Sequence, residues 1–178
     1  MANHFTKAGD YYVDALAGND SNAGTDPEAP MKTISVAITA AESGSTGWDF
    51  TIVVGTGIYQ ERLVAGTTTD YLNFQADGNV IMDGEGEDSI IYDGNYWRFN
   101  DFIFTNCGTL WYGNTNYFPA RFNRCKFKSI PGFTSAAVGS MFKSIKHYFN
   151  DCVFDGMTNA SSAIYFRSFT FFNCTFIN

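Results

Sequence analysis

The chain has no run of 18 or more apolar residues, so none of it is long and apolar enough to cross a bilayer as a helix. Its opening, Met1-Ala2-Asn3-His4-Phe5, lacks the basic and apolar segments of a signal peptide. A protein made in the cytoplasm, without membrane insertion, is the expectation. Histidine occurs only at His4 and His147, and the four cysteines include no C-x-x-C pair. Zinc would lack a fourth ligand, and a leaderless protein with so few cysteines is expected to hold thiols rather than a disulfide framework. Neither a metal nor a cofactor is expected. Bases are scarce, 11 Lys and Arg against 18 Asp and Glu. A nucleic-acid surface needs a denser basic patch, so nucleic acid is not an expected partner.

The net charge of -7 is unevenly spread: residues 1–93 hold 15 acids and 3 bases, residues 94–178 only 3 acids and 8 bases. What the second half does hold is one phrase repeated four times. Phe99-Asn100-Asp101-Phe102-Ile103-Phe104 returns as Phe122-Asn123-Arg124-Cys125-Lys126-Phe127, as Phe149-Asn150-Asp151-Cys152-Val153-Phe154, and as Phe171-Phe172-Asn173-Cys174-Thr175-Phe176. The spacings of 23, 27 and 22 residues are those of a solenoid, in which each repeat buries its apolar face against its neighbours. Sequence position is then axial position, and the two ends of the molecule differ in potential.

The spacing inside the phrase carries geometry. Phe102 and Phe104 share one face of a strand, yet Phe99 stands three residues before Phe102, which a straight strand would turn outward. A corner at Asn100-Asp101 reconciles the two, since Asn and Asp tolerate the left-handed backbone that corners require. Equivalent corners at Asn123 and Asn150 would stack about 4.8 Å apart and let their side-chain amides bond from turn to turn. Phe99, Phe122, Phe149 and Phe171 form one inward column; Phe104, Phe127, Phe154 and Phe176 form another. Cys125, Cys152 and Cys174 take the position of Phe102, as small interior hydrophobes.

The predicted architecture is all-β, a right-handed parallel β-helix of about five turns with three strands per turn. Residues 51–178 form the turns; residues 1–50 supply a first strand at Tyr11–Asp14, a turn-rich loop from Gly18 to Pro27, and a capping helix. That helix has apolar residues at 34, 37, 38 and 41, Thr33 as its N-cap and Gly44 as its stop. The Asp and Asn of the loop do not match the spacing of a calcium loop. The turns are grouped as Ile52–Val54, Leu72–Phe74 and Val80–Met82; Ile90–Tyr92, Trp97–Phe99 and Phe102–Phe104; Leu110–Tyr112, Ala120–Phe122 and Cys125–Phe127. The last two are Val138–Ser140, His147–Phe149 and Cys152–Phe154, then Ile164–Phe166, Phe169–Phe171 and Cys174–Phe176.

On this scheme the first strand of each turn presents an outward column of Val53, Ile91, Trp111, Gly139 and Tyr165. An apolar stripe there suits packing against another chain or stacking on sugar rings. Arg98 and Arg121 stack on the outward column of the second strand, with Lys126 and Lys128 nearby. These bases form a solvated face, or one that meets an anionic glycan. Ile91, Trp111, Tyr165, Arg98 and Arg121 are therefore the candidate glycan or partner contacts. His147 falls in an inward column and reads as structural.

Tyr12-Val13-Asp14, Gly18-Asn19-Asp20, Gly24-Thr25 and Pro30-Met31-Lys32-Thr33-Ile34, then Ile52-Val53-Val54 and Gly57-Ile58-Tyr59-Gln60-Glu61, then the Phe-Asn-x-Cys-x-Phe turns, together resemble the pectate-lyase-like superfamily of right-handed parallel β-helices. The chain looks most similar to bacteriophage tailspike and tail-fibre β-helices. The resemblance implies a non-catalytic structural or adhesion component of a virion, made in the host cytoplasm. Such a component would dock by its ends or its apolar stripe as a trimer or with other virion proteins, with surface polysaccharide as a further partner. The alternative it implies is the N-terminal portion of a polysaccharide-degrading tailspike, a lyase or a glycoside hydrolase.

No catalytic residue is assigned. Asp101-Phe102-Ile103-Phe104 resembles the Asp-Phe-Ile-Phe of pectin methylesterases, whose Asp is the nucleophile, but the accompanying Gln-Asp-Thr-Leu is replaced by Asn79-Val80-Ile81-Met82-Asp83-Gly84, and the corner explains Asp101. The run Asp83-Gly84-Glu85-Gly86-Glu87-Asp88 supplies the carboxylates that glycoside hydrolysis needs, but reads as a solvated loop. A lyase would need calcium-binding acids on adjacent turns, and Asp93 has no matching acid on the next. The chain stops at Phe176-Ile177-Asn178, inside a repeat, which leaves a strand edge to be covered by another chain or by a continuation.

Overall fold

A computed structural model describes residues 5–43, 49–64, 71–86, 91–92, 96–107, 110–112, 120–128, 147–156 and 169–177. They form a parallel β-solenoid with one short helix. The strands are β1 (Tyr11–Val13), β2 (Phe50–Tyr59), β3 (Leu63–Val64), β4 (Leu72–Asp83), β5 (Ile91–Tyr92), β6 (Arg98–Thr105) and β7 (Trp111–Tyr112). They continue as β8 (Ala120–Asn123), β9 (Lys126–Lys128), β10 (His147–Asn150), β11 (Val153–Asp155), β12 (Phe169–Phe172) and β13 (Thr175–Ile177), while the helix α1 spans Ile34–Ser43. The larger sheet runs β1-β2-β4-β6-β8-β10-β12, with β9, β11 and β13 as its second arm beyond the corner. The smaller sheet is β3-β5-β7.

The repeated phrase is the corner. Phe99 pairs with Phe122, Phe122 with Phe149 and Phe149 with Phe171, and beyond the bend Phe104 pairs with Phe127, Phe127 with Phe154 and Phe154 with Phe176. The left-handed residue is the one after each ladder position: Asp101 (φ 67°), Arg124 (φ 53°), Asp151 (φ 54°) and Asn173 (φ 51°). In the first three copies Asn is thus not itself the bend. It stands one residue earlier, where Asn100, Asn123 and Asn150 donate side-chain N–H groups to Asn73, Asn100 and Asn123 at 2.7, 2.9 and 2.8 Å. The last copy is in register with the others. Phe172 occupies the ladder position, pairing with Asn150, while Asn173 takes the left-handed corner and bonds to Asp151.

Inside the corner the rings stack from turn to turn. The first column runs Phe74, Phe99, Phe122, Phe149 and Phe171, with centroids 4.6, 5.5, 5.1 and 5.1 Å apart. The second runs Phe104, Phe127, Phe154 and Phe176 at 5.5, 4.7 and 4.8 Å. Edge-to-face contacts such as Phe122–Phe127 at 5.6 Å join the two columns. Each buried Phe contributes about 1.5 to 3 kcal/mol by area, and a well-placed ring pair about 0.5 to 1.5 more. Cys125, Cys152 and Cys174 each donate an S–H to the carbonyl of the column Phe one turn back, Phe99, Phe122 and Phe149, at 3.4 Å. The thiols therefore fill the interior while satisfying a carbonyl at the bend.

The first turn corrects the predicted grouping. Ile52–Val54 and Leu72–Phe74 were assigned to one turn, yet Ile52 pairs with Phe74, so β2 and β4 are successive rungs. Their beyond-corner arms also pair, Gly57–Tyr59 against Val80–Met82, and the third strand of this turn is Leu63–Val64. The corner of β4 hid the repeat because it is enlarged. Gln75 pairs with Asn100 and Val80 with Phe102, so Ala76-Asp77-Gly78-Asn79 oppose the single residue Asp101. Gly78, at φ 106°, makes the extra bend possible. Three turns close with all three strands among the described residues, against the five expected. The segments predicted as first strands of the last two turns, Val138–Ser140 and Ile164–Phe166, lie outside them.

The helix caps the first turn as its pattern suggests, with Ile34, Ala37, Ile38 and Ala41 buried. Thr33 accepts from the Val36 N–H at 3.4 Å as the N-cap. The carboxylate of Glu61 does more: it accepts from the backbone N–H groups of Ile34 and Ser35, both at 2.8 Å, and from the Ser35 hydroxyl. Those N–H groups have no partner inside the helix, and a negative charge is favoured at its N-terminus. Two stretches that carried the family resemblance, Lys32-Thr33-Ile34 and Gln60-Glu61, therefore meet in a cap rather than in a catalytic site.

Candidate functional site

Residues just before each phrase face outward on the first arm of the larger sheet. The register aligns Thr51, Asn73, Arg98, Arg121, Tyr148 and Thr170 in one column. Arg98 and Arg121 are therefore neighbours on adjacent rungs, as the sequence predicts. Each guanidinium lies over an aromatic face, Arg98 at 5.9 Å from the Tyr71 ring centre and Arg121 at 5.5 Å from that of Tyr148. Such stacking is worth about 0.5 to 1 kcal/mol at exposed sites and holds a mobile side chain against the sheet. Tyr71, itself 40% exposed, packs against Tyr96 with centroids 4.6 Å apart. The face thus combines flat aromatic surface, two planar cations and the amides of the Asn ladder beside them.

Three tyrosines of this face are not among the candidate residues that the sequence pattern marks. Tyr148 was findable, because it fills the position directly before Phe149 that Arg98 and Arg121 fill before Phe99 and Phe122. Tyr71 and Tyr96 carry no such mark. They precede β4 and β6, outside the repeated phrase.

The other candidate column is corrected. Ile91 was expected outward but is fully buried, because it pairs with Leu63, also fully buried, in an inward column of the smaller sheet. Trp111 stands in register with Ile91, in β7. Its side chain, and Gly139 and Tyr165, lie outside the described residues. Val53 does face away from the core, yet it is covered by the segment at Gly9, where a Cβ would come within 2.5 Å of its methyl group. Among the described residues an apolar outward column lies on the second arm. Ile58, Ile81, Ile103 and Val153 share it with Lys126, and Ile58 is 59% exposed.

Asp101 is occupied. Arg124 donates to both of its oxygens, Nε to Oδ1 at 2.7 Å and Nη2 to Oδ2 at 2.9 Å, and Gln75 donates to Oδ2 at 3.0 Å. The ion pair, followed by the Gln75 amide, outweighs partial burial and holds the carboxyl below the usual carboxylate range. With both oxygens engaged and the ion pair formed, the residue that resembles an esterase nucleophile is a corner brace. Asp77 accepts from the backbone N–H of Thr6 and Lys7 and from the Thr6 hydroxyl, which tie the N-terminal segment to the enlarged β4 corner. In the acidic run, Asp83 accepts from the Glu85 N–H and the Asn106 amide at 2.9 and 3.0 Å; Glu87 and Asp88 lie outside the described residues. Among the described residues no group of three or more His, Cys, Asp and Glu side chains converges as a metal site.

His147 is inward and fully buried, and accepts from the Ala120 N–H through Nδ1 at 3.2 Å. Burial pushes its pKa down to about 3. Burial also pushes the Cys107 thiol up to about 12, and that of Cys125 well above its ordinary value. Groups so placed support the core rather than nucleophilic or acid-base chemistry.

What the fold and the face define is a parallel β-solenoid with an outward-facing column that carries two arginines and a tyrosine. No family model and no curated protein sequence matches the chain. Two solved structures share its architecture, the native protein and the selenomethionine derivative of a GH136 lacto-N-biosidase from Eubacterium ramulus. They are 13% and 14% identical, with TM-scores of 0.51 and 0.52, and the match covers 94% of this chain and 34% of theirs. At that identity the likeness is one of fold. The chain spans about a third of the length of those proteins.

Proposed function

We propose that this solenoid is a carbohydrate-binding segment of a polysaccharide-acting protein, with the outward face of β4, β6, β8 and β10 as its contact surface. The observation that carries the reading is the stacking of Arg98 on Tyr71 and of Arg121 on Tyr148 across neighbouring rungs. Sugars present apolar ring faces and a rim of hydroxyls, which tyrosine rings, guanidinium N–H groups and side-chain amides complement. Support of a second kind is architectural, since the solved structures of the same fold belong to a glycoside hydrolase. Binding to a panel of immobilised neutral and acidic polysaccharides, with reducing-end release measured alongside, tests the proposal. Binding that Tyr148→Ala weakens about tenfold, or about 1.4 kcal/mol, is the expected result; failure to bind any of the panel overturns it.

A virion adhesion component is the second reading, and one observation favours it. Phe171, Phe172, Phe176 and Ile177 are 40 to 68% exposed on the rung of β12 and β13, an apolar surface that another chain or a further rung would cover. Trimerisation belongs to this reading, and sedimentation of the purified chain tests it.

A further inference from the structure

Arg98 and Arg121 pair directly in register, two cationic residues on adjacent rungs whose backbones stand about 4.8 Å apart. Like charges placed so across a sheet repel. A carboxylate between them would relieve the repulsion, and the fold has one close by in Asp101, three residues along β6 from Arg98. Asp101, however, is engaged by Arg124, by Gln75 and, at 3.6 Å, by Lys7. The remaining members of the column, Thr51, Asn73, Tyr148 and Thr170, are neutral. Among the described residues, neither Arg98 nor Arg121 has a carboxylate partner within ion-pair distance, although Arg124 nearby has one. The rings of Tyr71 and Tyr148 meanwhile hold both guanidiniums on the sheet face.

We infer that Arg98 and Arg121 together seat one anionic substituent, a carboxylate or sulfate, of a bound acidic saccharide. This rests on the carbohydrate-binding reading above and narrows it to a class of ligand. Two planar forks on adjacent rungs, each steadied by a ring on the side away from the other, leave the space between them for a single carboxylate or sulfate, whose oxygens a guanidinium can meet in bidentate fashion and an ammonium cannot. The sugar ring that carries the group then lies beside Tyr148, the next member of the column.

The test uses the full chain with three sets of oligosaccharides: oligogalacturonate and hyaluronan fragments, their carboxyl-reduced counterparts, and sulfated carrageenan fragments without carboxylates. Affinities are measured by calorimetry for the wild type, R98Q, R121Q and R124Q. The expected result is binding of an acidic set, at least about tenfold weaker for the carboxyl-reduced sugars if the group is a carboxylate, or binding of the carrageenan set if it is a sulfate. Each of R98Q and R121Q should weaken that binding about tenfold, while R124Q, which removes the same charge, leaves it within about twofold. Equal loss in R124Q would mean general electrostatic attraction and overturn the seat. Equal binding of neutral and acidic sugars, unaffected by R98Q and R121Q, would overturn it while leaving carbohydrate binding intact. No binding in any set would overturn both.

Discussion

Asn123 donates its side-chain amide to Asn100 one turn below at 2.9 Å and accepts that of Asn150 one turn above at 2.8 Å. It is the middle of a ladder whose upper end is closed by Phe172, which cannot extend it. Asn123→Ala therefore removes two ladder bonds and Asn150→Ala one. At about 1 kcal/mol per bond, urea denaturation should show losses near 2 and near 1 kcal/mol respectively. Equal losses would contradict a ladder in which bonding depends on position.

The Phe columns make a second graded prediction. Phe127 is fully buried, between Phe104 and Phe154, whereas Phe176 at the end of the same column is 60% exposed. Phe127→Ala should cost about 3 to 5 kcal/mol. Phe176→Ala should cost well under half of that, because much of the ring is already in water. Thermal unfolding of the two variants checks this, and similar shifts in Tm would mean that the last rung is covered in solution.

His147 gives the molecule an acid sensitivity distinct from that of its carboxylates. Its folded pKa is about 3 against 6.5 in an unfolded chain, so between those values the unfolded state takes up a proton that the buried site refuses. Stability is fully present above about pH 6.5 and falls as pH drops below it, by up to about 1.4 kcal/mol per pH unit. Asp101, held low chiefly by Arg124, contributes stability that is lost only as pH falls below about 4. Urea denaturation between pH 7 and 4.5 should show a slope in the wild type that His147→Leu flattens. Parallel slopes in the two proteins would contradict the assignment.

The phrase built on Phe99 to Phe104 made the corner, both ring columns and the Asn ladder legible, because each depends on spacings that a solenoid repeats. The first turn was not legible. There the corner residue is replaced by Ala76-Asp77-Gly78-Asn79, which breaks the spacing while preserving the register on either side. Ile91 was misassigned for a related reason: a strand of two residues has no alternation of its own to show which side faces in, and only its pairing with Leu63 decides. Arg98 and Arg121 were visible as an outward pair because they precede identical phrases. Their tyrosine partners came from before β4 and from the next rung, contacts that no local pattern encodes.

The central claim is that the Arg98 and Arg121 face meets carbohydrate, and side-chain NMR of arginine tests it most directly. In protein labelled with nitrogen-15 arginine, titration with an oligosaccharide that binds should shift the Nε–H resonances of Arg98 and Arg121, while that of Arg124, bonded to Asp101 at 2.7 Å, stays in place. Saturation that leaves Arg98 and Arg121 unmoved, or that moves Arg124 instead, would contradict the account.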